Sequence, residues 1–165
     1  MARDRAGAAR AQWEAEIPGL DLLPMEVLGR LAEATHLARS TFLLPVFTEF
    51  GLKPGEFDVL MTLRRSGAPY ALTPTDLYNT TMITSGGMTA RLDRLEKAGL
   101  IVRNPHETDR RAVQIALTPK GKELIDRMLP VHLAAQKKAV AGLEEAEQRA
   151  LADLLKKLIA GLPQK

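Results

Sequence analysis

Residues 84–118 read TSGGMTARLDRLEKAGLIVRNPHETDRRAVQIALT, and the hydrophobic period changes twice inside them. Met88, Leu92, Leu95 and Leu100 recur at helical spacing, so one apolar stripe turns inward while Arg91, Arg94 and Lys97 face elsewhere. Thr84 or Ser85 suits the N-cap of that helix, and Gly99 suits the left-handed residue that ends it. From Leu100 the pattern alternates, with Ile101 on one arm and Val113, Ile115 and Leu117 on the other. Between the arms lies the polar turn NPHETDRR, so a β-hairpin with a basic tip is expected. A helix that fits a major groove, beside a hairpin whose arginines reach a minor groove, is a winged helix-turn-helix. The expected partner is double-stranded DNA.

Working outward, Thr73-Pro74 is a cap followed by proline at the first helical position, and it opens a short helix around Thr75 to Tyr78. Upstream, Pro54 starts a helix in which Phe57, Leu60, Met61 and Leu63 point inward, closed by Ser66-Gly67. A long helix is predicted over Met25 to Phe50, with irregularity near Leu44 because Pro45 interrupts it. An Ala/Arg-rich segment around Trp13 forms a further short helix before Pro18 and Pro24. Downstream, Thr118-Pro119 repeats the start signal, and helices follow over Lys120–Ala141 and Glu144–Ala160. The fold class is therefore mainly α with a small β-hairpin wing. The whole of 1–165 is read as a single winged-helix domain, with a lobe at 54–118 and dimerisation helices at 1–50 and 119–165.

Composition agrees. Of 165 residues 45% are apolar but only 4% aromatic, so the core is built of Leu, Ala, Val and Met, which favours helices. Net charge is only +3, and its distribution is more telling: residues 84–122 carry eight Lys or Arg against four Asp or Glu, and residues 1–40 five against six. The absence of Cys excludes disulfides and thiolate chemistry. Nothing resembles a signal peptide or a bilayer-spanning run, so a cytoplasmic location away from membranes is expected.

The last two predicted helices carry more apolar surface than one lobe uses. Leu124, Ile125, Met128, Leu129, Val131 and Leu133 are followed by Leu143, Leu151, Leu154, Leu155, Leu158, Ile159 and Leu162. Pairing two chains through these helices and the N-terminal helix would bury it, so a homodimer is expected. Two recognition helices would then meet successive major grooves of a pseudo-palindromic site.

The run DRRAVQIALTPKG, Asp109 to Gly121, directly after RLDRLEKAGLIVR, Arg91 to Arg103, resembles the MarR family of dimeric winged-helix transcriptional regulators. The resemblance covers about Leu28 to Leu162. It implies that Ser85 to Leu95 is the recognition helix, with Thr84, Ser85, Gly86, Thr89, Arg91 and Arg94 toward DNA. It also implies that Arg110 and Arg111 form the wing tip and that Asp109 orients Arg111 in the minor groove. The physical reading agrees, because a narrow minor groove concentrates negative potential and a guanidinium aimed at it needs an anchor.

The N-terminal pattern W-x-x-E-x-P-x-L-D, Trp13 to Asp21, followed by PMEVLGRL, is similar to the urate-responsive branch of that family. The likeness implies an effector pocket of Trp13, Asp58, Arg65 and Arg103 for a small anionic aromatic or purine ligand, urate-like or a phenolic acid. A stacking ring and a bidentate arginine suit such a ligand. Each residue also fits a plainer role: Trp13 as packing of a terminal helix, Asp58 and Arg65 as surface residues of one helix face, Arg103 as a phosphate contact.

Other chemistries lack their patterns. His36, His106 and His132 are far apart and show no metal-ligand spacing, and Ser85-Gly86-Gly87 lacks the rest of a phosphate-binding loop. No catalytic motif or cofactor signature is present, so an enzyme is not expected. Two functions stay open: a ligand-controlled DNA-binding repressor, and a winged-helix protein-interaction module. The basic wing favours the first.

Overall fold

The computed structural model describes residues 4–81, 87–105 and 113–163. Within them the chain runs α1 (Arg5–Glu16), α2 (Leu23–Ala38), a π-helical turn (Arg39–Leu43), α3 (Leu44–Glu49), α4 (Pro54–Arg65), β1 (Ala71–Leu72) and α5 (Pro74–Thr80). It continues with α6 (Met88–Lys97), β2 (Ile101–Pro105), β3 (Val113–Leu117), α7 (Pro119–Ala139) and α8 (Glu145–Ala160). The three strands form one antiparallel sheet in the order β1-β3-β2. This is the mainly helical winged helix-turn-helix expected from the sequence.

The chain divides into two compact units: Met1–Phe42 with Ala134–Lys165, and Leu43–Leu133. The second holds a continuous core. Val59, Leu60 and Leu63 of α4, Leu77 of α5, and Ile125 and Met128 of α7 are fully buried, joined by Leu95 of α6, Ile101 of β2 and Ile115 of β3. In α4, Glu56, Phe57, Val59, Leu60, Thr62 and Leu63 are all buried, so the helix is covered on most sides. The spacing rule misplaced one residue there: Met61 is only half-buried, whereas Val59 and Thr62 lie inside. His132 of α7 stacks with Phe47 and Phe57, ring centroids 5.7 and 4.4 Å away, and burial pushes its pKa down. Its Nδ1 has no partner among the described residues.

In the first unit α1 packs on α2. The helices approach closely where Gly29 faces Ala6, since a Cβ added at Gly29 would lie 3.0 Å from that of Ala6. An ion network spans the pair, with Glu26 accepting from Arg10 at 2.9 Å and Arg30 at 2.7 Å, and Arg30 reaching Asp4 at 2.7 Å. The Arg30 hydrogen bond holds the Asp4 carboxyl below the usual carboxylate range. Glu26 is the single buried residue of α2, while α1 and α8 bury none.

Local signals account for most boundaries. The Thr73 hydroxyl accepts from the Asp76 amide, with Pro74 at the first helical position. Thr118 plays the same part for α7, accepting from the Gly121 amide at 3.0 Å and donating to the Gly99 carbonyl at 2.8 Å. The predicted Met25–Phe50 helix starts at Leu23, and its irregularity falls at Arg39–Leu43, one turn before Leu44. Pro45 has no amide to offer the carbonyl four residues earlier, at Thr41, and the preceding turn widens instead. Strand β1 was not expected; it pairs Ala71 with Ala116 and Leu72 with Ile115. Two further expectations need correction. Val113 ends the hairpin in solvent at 43% exposure, and Ile125 and Met128 belong to the lobe core rather than to an outer apolar stripe. The helices after the hairpin end at Ala139 and begin again at Glu145. Among the described residues no helix is long and apolar enough to cross a membrane.

Candidate nucleic-acid interface

Helix α6 is seated by Leu92 and Leu95, 5% and 2% exposed, so its opposite face is left outward with Thr89, Asp93, Arg94 and Lys97 exposed. Its end follows from Gly99 at φ +70°: the Leu100 amide donates to the Leu95 carbonyl at 2.9 Å and the Gly99 amide to that of Glu96 at 2.8 Å. Leu95 and Leu100 are both buried beneath this paired-amide ending. Its start departs from expectation. The N-cap is Gly87, left-handed at φ +82° and without a side-chain hydrogen bond, in place of Thr84 or Ser85. Thr84, Ser85 and Gly86 lie outside the described residues, as do His106, Asp109, Arg110 and Arg111.

Two clamps hold α6. On the α4 side, Glu56 is 6% exposed and spans two elements: Oε2 accepts from the Lys53 amide at 2.8 Å, and Oε1 accepts from Arg94 Nε at 2.6 Å. Arg91 lies against the same turn of α4, its Nε 2.5 Å from where a Cβ at Gly55 would sit. On the wing side, Arg103 of β2 donates to Asp93 Oδ1 at 2.6 Å and to a Glu96 carboxylate oxygen. Asp93 first, then Glu96, raise the Arg103 pKa above its already high usual value, so this guanidinium stays charged. Asp93 and Glu96 are one turn apart, so both acids meet one base of the wing.

The other residues assigned to an effector are spread over the chain. Arg65, exposed at the end of α4, donates to the Thr80 carbonyl at 2.5 Å and to the Thr62 hydroxyl at 3.2 Å, which ties α4 to the last turn of α5. Asp58 is half-buried on α4. Trp13 is 45% exposed on α1, in the other compact unit. Among the described residues Arg65 and Arg103 share no hydrogen-bond partner. Glu56 was missed by sequence reasoning. Its place three residues after Lys53 is a helix-capping signal, but nothing local points to Arg94, 38 residues away.

The MarR family's sequence model matches residues 50–112, from the loop before α4 to the residue before β3. The transcriptional regulator PecS of Dickeya dadantii is 43% identical over 144 residues, 87% of this chain and 86% of its own length. The chain belongs to the MarR family. Among solved MarR-like structures, that of Bordetella bronchiseptica BpsR, whose DNA binding is regulated by 6-hydroxynicotinic acid, superposes with a TM-score of 0.71 at 27% identity, covering 81% of this chain and 91% of BpsR. A MarR regulator from Streptomyces coelicolor in complex with DNA shares the fold, TM-score 0.77 at 24% identity, over 89% and 92% of the two chains. As a MarR-family member this protein is a DNA-binding transcriptional regulator and not an enzyme.

Proposed function

We propose that this MarR-family regulator is a repressor that leaves its operator when a small anionic aromatic or purine ligand binds, urate-like or a phenolic acid. The observation that carries the reading is the Arg103 clamp, because the arginine assigned to the effector by resemblance is the one that grips the recognition helix through Asp93 and Glu96. An anion that takes Arg103 competes with those two carboxylates, and α6 loses its hold on the base of the wing. The regulation of BpsR by 6-hydroxynicotinic acid, an aromatic acid, supports a ligand of this class. Trp13, Asp58 and Arg65 enter the proposal with Arg103, each to be tested by its own substitution.

The repressor is proposed to act as a homodimer in the cytoplasm, with dimerisation helices from the two ends of the chain and a DNA-binding lobe at 54–118. Leu151, Leu154, Ile159 and Leu162 are 44 to 66% exposed at the C-terminal end, and Ile17, Leu20, Val27 and Leu28 are 46 to 57% exposed near the N-terminus. Apolar side chains in this number call for a second surface, at roughly 25 cal/mol for each Å² of apolar area covered. In the proposed operator complex Thr84, Ser85, Gly86, Thr89, Arg91 and Arg94 serve the major groove, and Arg110 and Arg111, with Asp109 behind them, serve the minor groove.

The experiment is selection of bound sequences from random duplex DNA, followed by titration of the selected duplex complex with urate, xanthine and simple phenolic acids. Trp13 is the only tryptophan, so its fluorescence reports binding while duplex release reports control. The expected result is a palindromic consensus released by one of these anions, with a coupling of about 1–3 kcal/mol. A consensus that no such anion releases would leave a DNA-binding regulator and remove the effector.

A further inference from the structure

 The Leu43–Leu133 unit contains a cleft of about 630 Å³ that no residue assigned to the effector lines. That size suits a small organic ligand. Its floor is apolar, formed by Leu52 ahead of α4, Leu95 of α6 and Leu124 of α7, and its rim carries Lys53, Lys97 and Lys120. Three cations around an apolar floor match a molecule with a flat hydrophobic body and one anionic head. Lys120 is partly engaged, donating to the Ala98 carbonyl at 2.8 Å. Lys53 and Lys97 have no ion-pair partner among the described residues, although both are exposed beside the cleft.

The wall of the cleft is the Glu56–Arg94 pair. It shares no residue with Trp13, Asp58, Arg65 or Arg103. We propose that this cleft is a second anion site, taking an amphipathic carboxylate of about two fused rings, with Lys53 and Lys97 receiving the carboxylate and the leucines the ring system. Because Arg94 already has Glu56 as its partner, a carboxylate arriving beside it competes with Glu56, and the site therefore reads the same clamp that positions α6. The inference rests on the family's DNA-binding role and does not need the effector reading given for Arg103.

The probe is 2-naphthoate, titrated calorimetrically into the full chain without DNA, with 2-naphthalenemethanol and inorganic phosphate as its neutral and ring-free counterparts. Naphthoate should bind at least tenfold more tightly than either. The K53E/K97E double variant should lose tenfold or more, and Leu124→Trp, which fills the floor and keeps the lysines, should lose as much. Glu56→Gln, which still accepts from the Lys53 amide but no longer holds Arg94 as an ion, should gain several-fold. Equal binding of the alcohol would reduce the cleft to an apolar surface, and equal binding of phosphate would reduce it to a cationic rim; either overturns the site. Unchanged affinity in both the double variant and Leu124→Trp does the same. Arg103→Ala is the discriminating control: naphthoate affinity lost there belongs to the Arg103 effector reading and sinks this one, whereas affinity kept there leaves this site standing even when no anion releases the operator.

Discussion

Glu56 Oε1 lies 2.6 Å from Arg94 Nε, which joins the first turn of α4 to α6 through a carboxylate that is almost wholly buried. The other oxygen of the same carboxylate caps the Lys53 amide, so one side chain ends one helix and aims another. Glu56→Ala removes both bonds and is expected to cost about 2 kcal/mol of stability, from a cap and a charge-assisted hydrogen bond together. Glu56→Gln should cost less than half of that. Denaturant titration of the two variants checks the order, and equal losses would mean that the Lys53 cap, which Gln keeps, contributes nothing.

Arg103 and Arg111 should separate by function. The Arg103 pairs are partly exposed, with side chains at 31% for Arg103, 59% for Asp93 and 38% for Glu96, so each is worth at most about 1 kcal/mol. Arg103→Ala should therefore weaken operator binding by at most about thirtyfold while abolishing release by the effector. Arg111→Ala should cost about 1–3 kcal/mol of operator affinity and keep the ligand response. Gel-shift titrations at several salt concentrations, with and without the releasing anion, measure both, and the reverse pattern would exchange the two roles.

Replacing Leu154 and Leu158 together by Lys should give a monomer. Leu154 is 66% exposed, Leu158 half-buried and no residue of α8 buried, so the main loss falls on an interface between copies. Sedimentation of the double variant decides this; a dimer that still binds a full operator would place the interface elsewhere.

Stability should fall on mild acidification through His132. Burial pushes its pKa below the ordinary 6.5, so the unfolded chain takes up a proton more readily than the folded one. The stability that depends on neutral His132 is full above pH 6.5 and declines as pH drops below it, by at most about 1.4 kcal/mol per pH unit. His132→Leu, which also removes the unpartnered Nδ1, should flatten that part of the curve. Melting curves of the two proteins between neutral pH and pH 6.5 should run parallel and should diverge only below it.

What could be read from the sequence was local. Thr73-Pro74, Thr118-Pro119 and Gly99 announce helix ends by chemistry confined to a few residues, and all three act as read. Leu92 and Leu95 declare the inner face of α6 by spacing alone. The unexpected features depend on distant partners. Strand β1 is two residues long and exists through its pairing with β3, some 44 residues later in the register. Ile125 and Met128 share the spacing of their exposed neighbours, and only the packed lobe distinguishes them. Glu56 signals a cap, while its second bond needs α4 and α6 already in place.

The start of α7 carries a consequence for how the sequence can change. A Cβ added at Gly121 would sit 2.0 Å from the Leu100 carbonyl oxygen, and that oxygen also accepts from the Thr118 amide, so neither side of the contact is free to retreat. In a library randomised at this position, survivors should return glycine and very little else, while alanine, the mildest replacement, should already be depleted. Codon 121 is in that sense closed to drift, although its residue is not among those proposed for the groove or for any ligand.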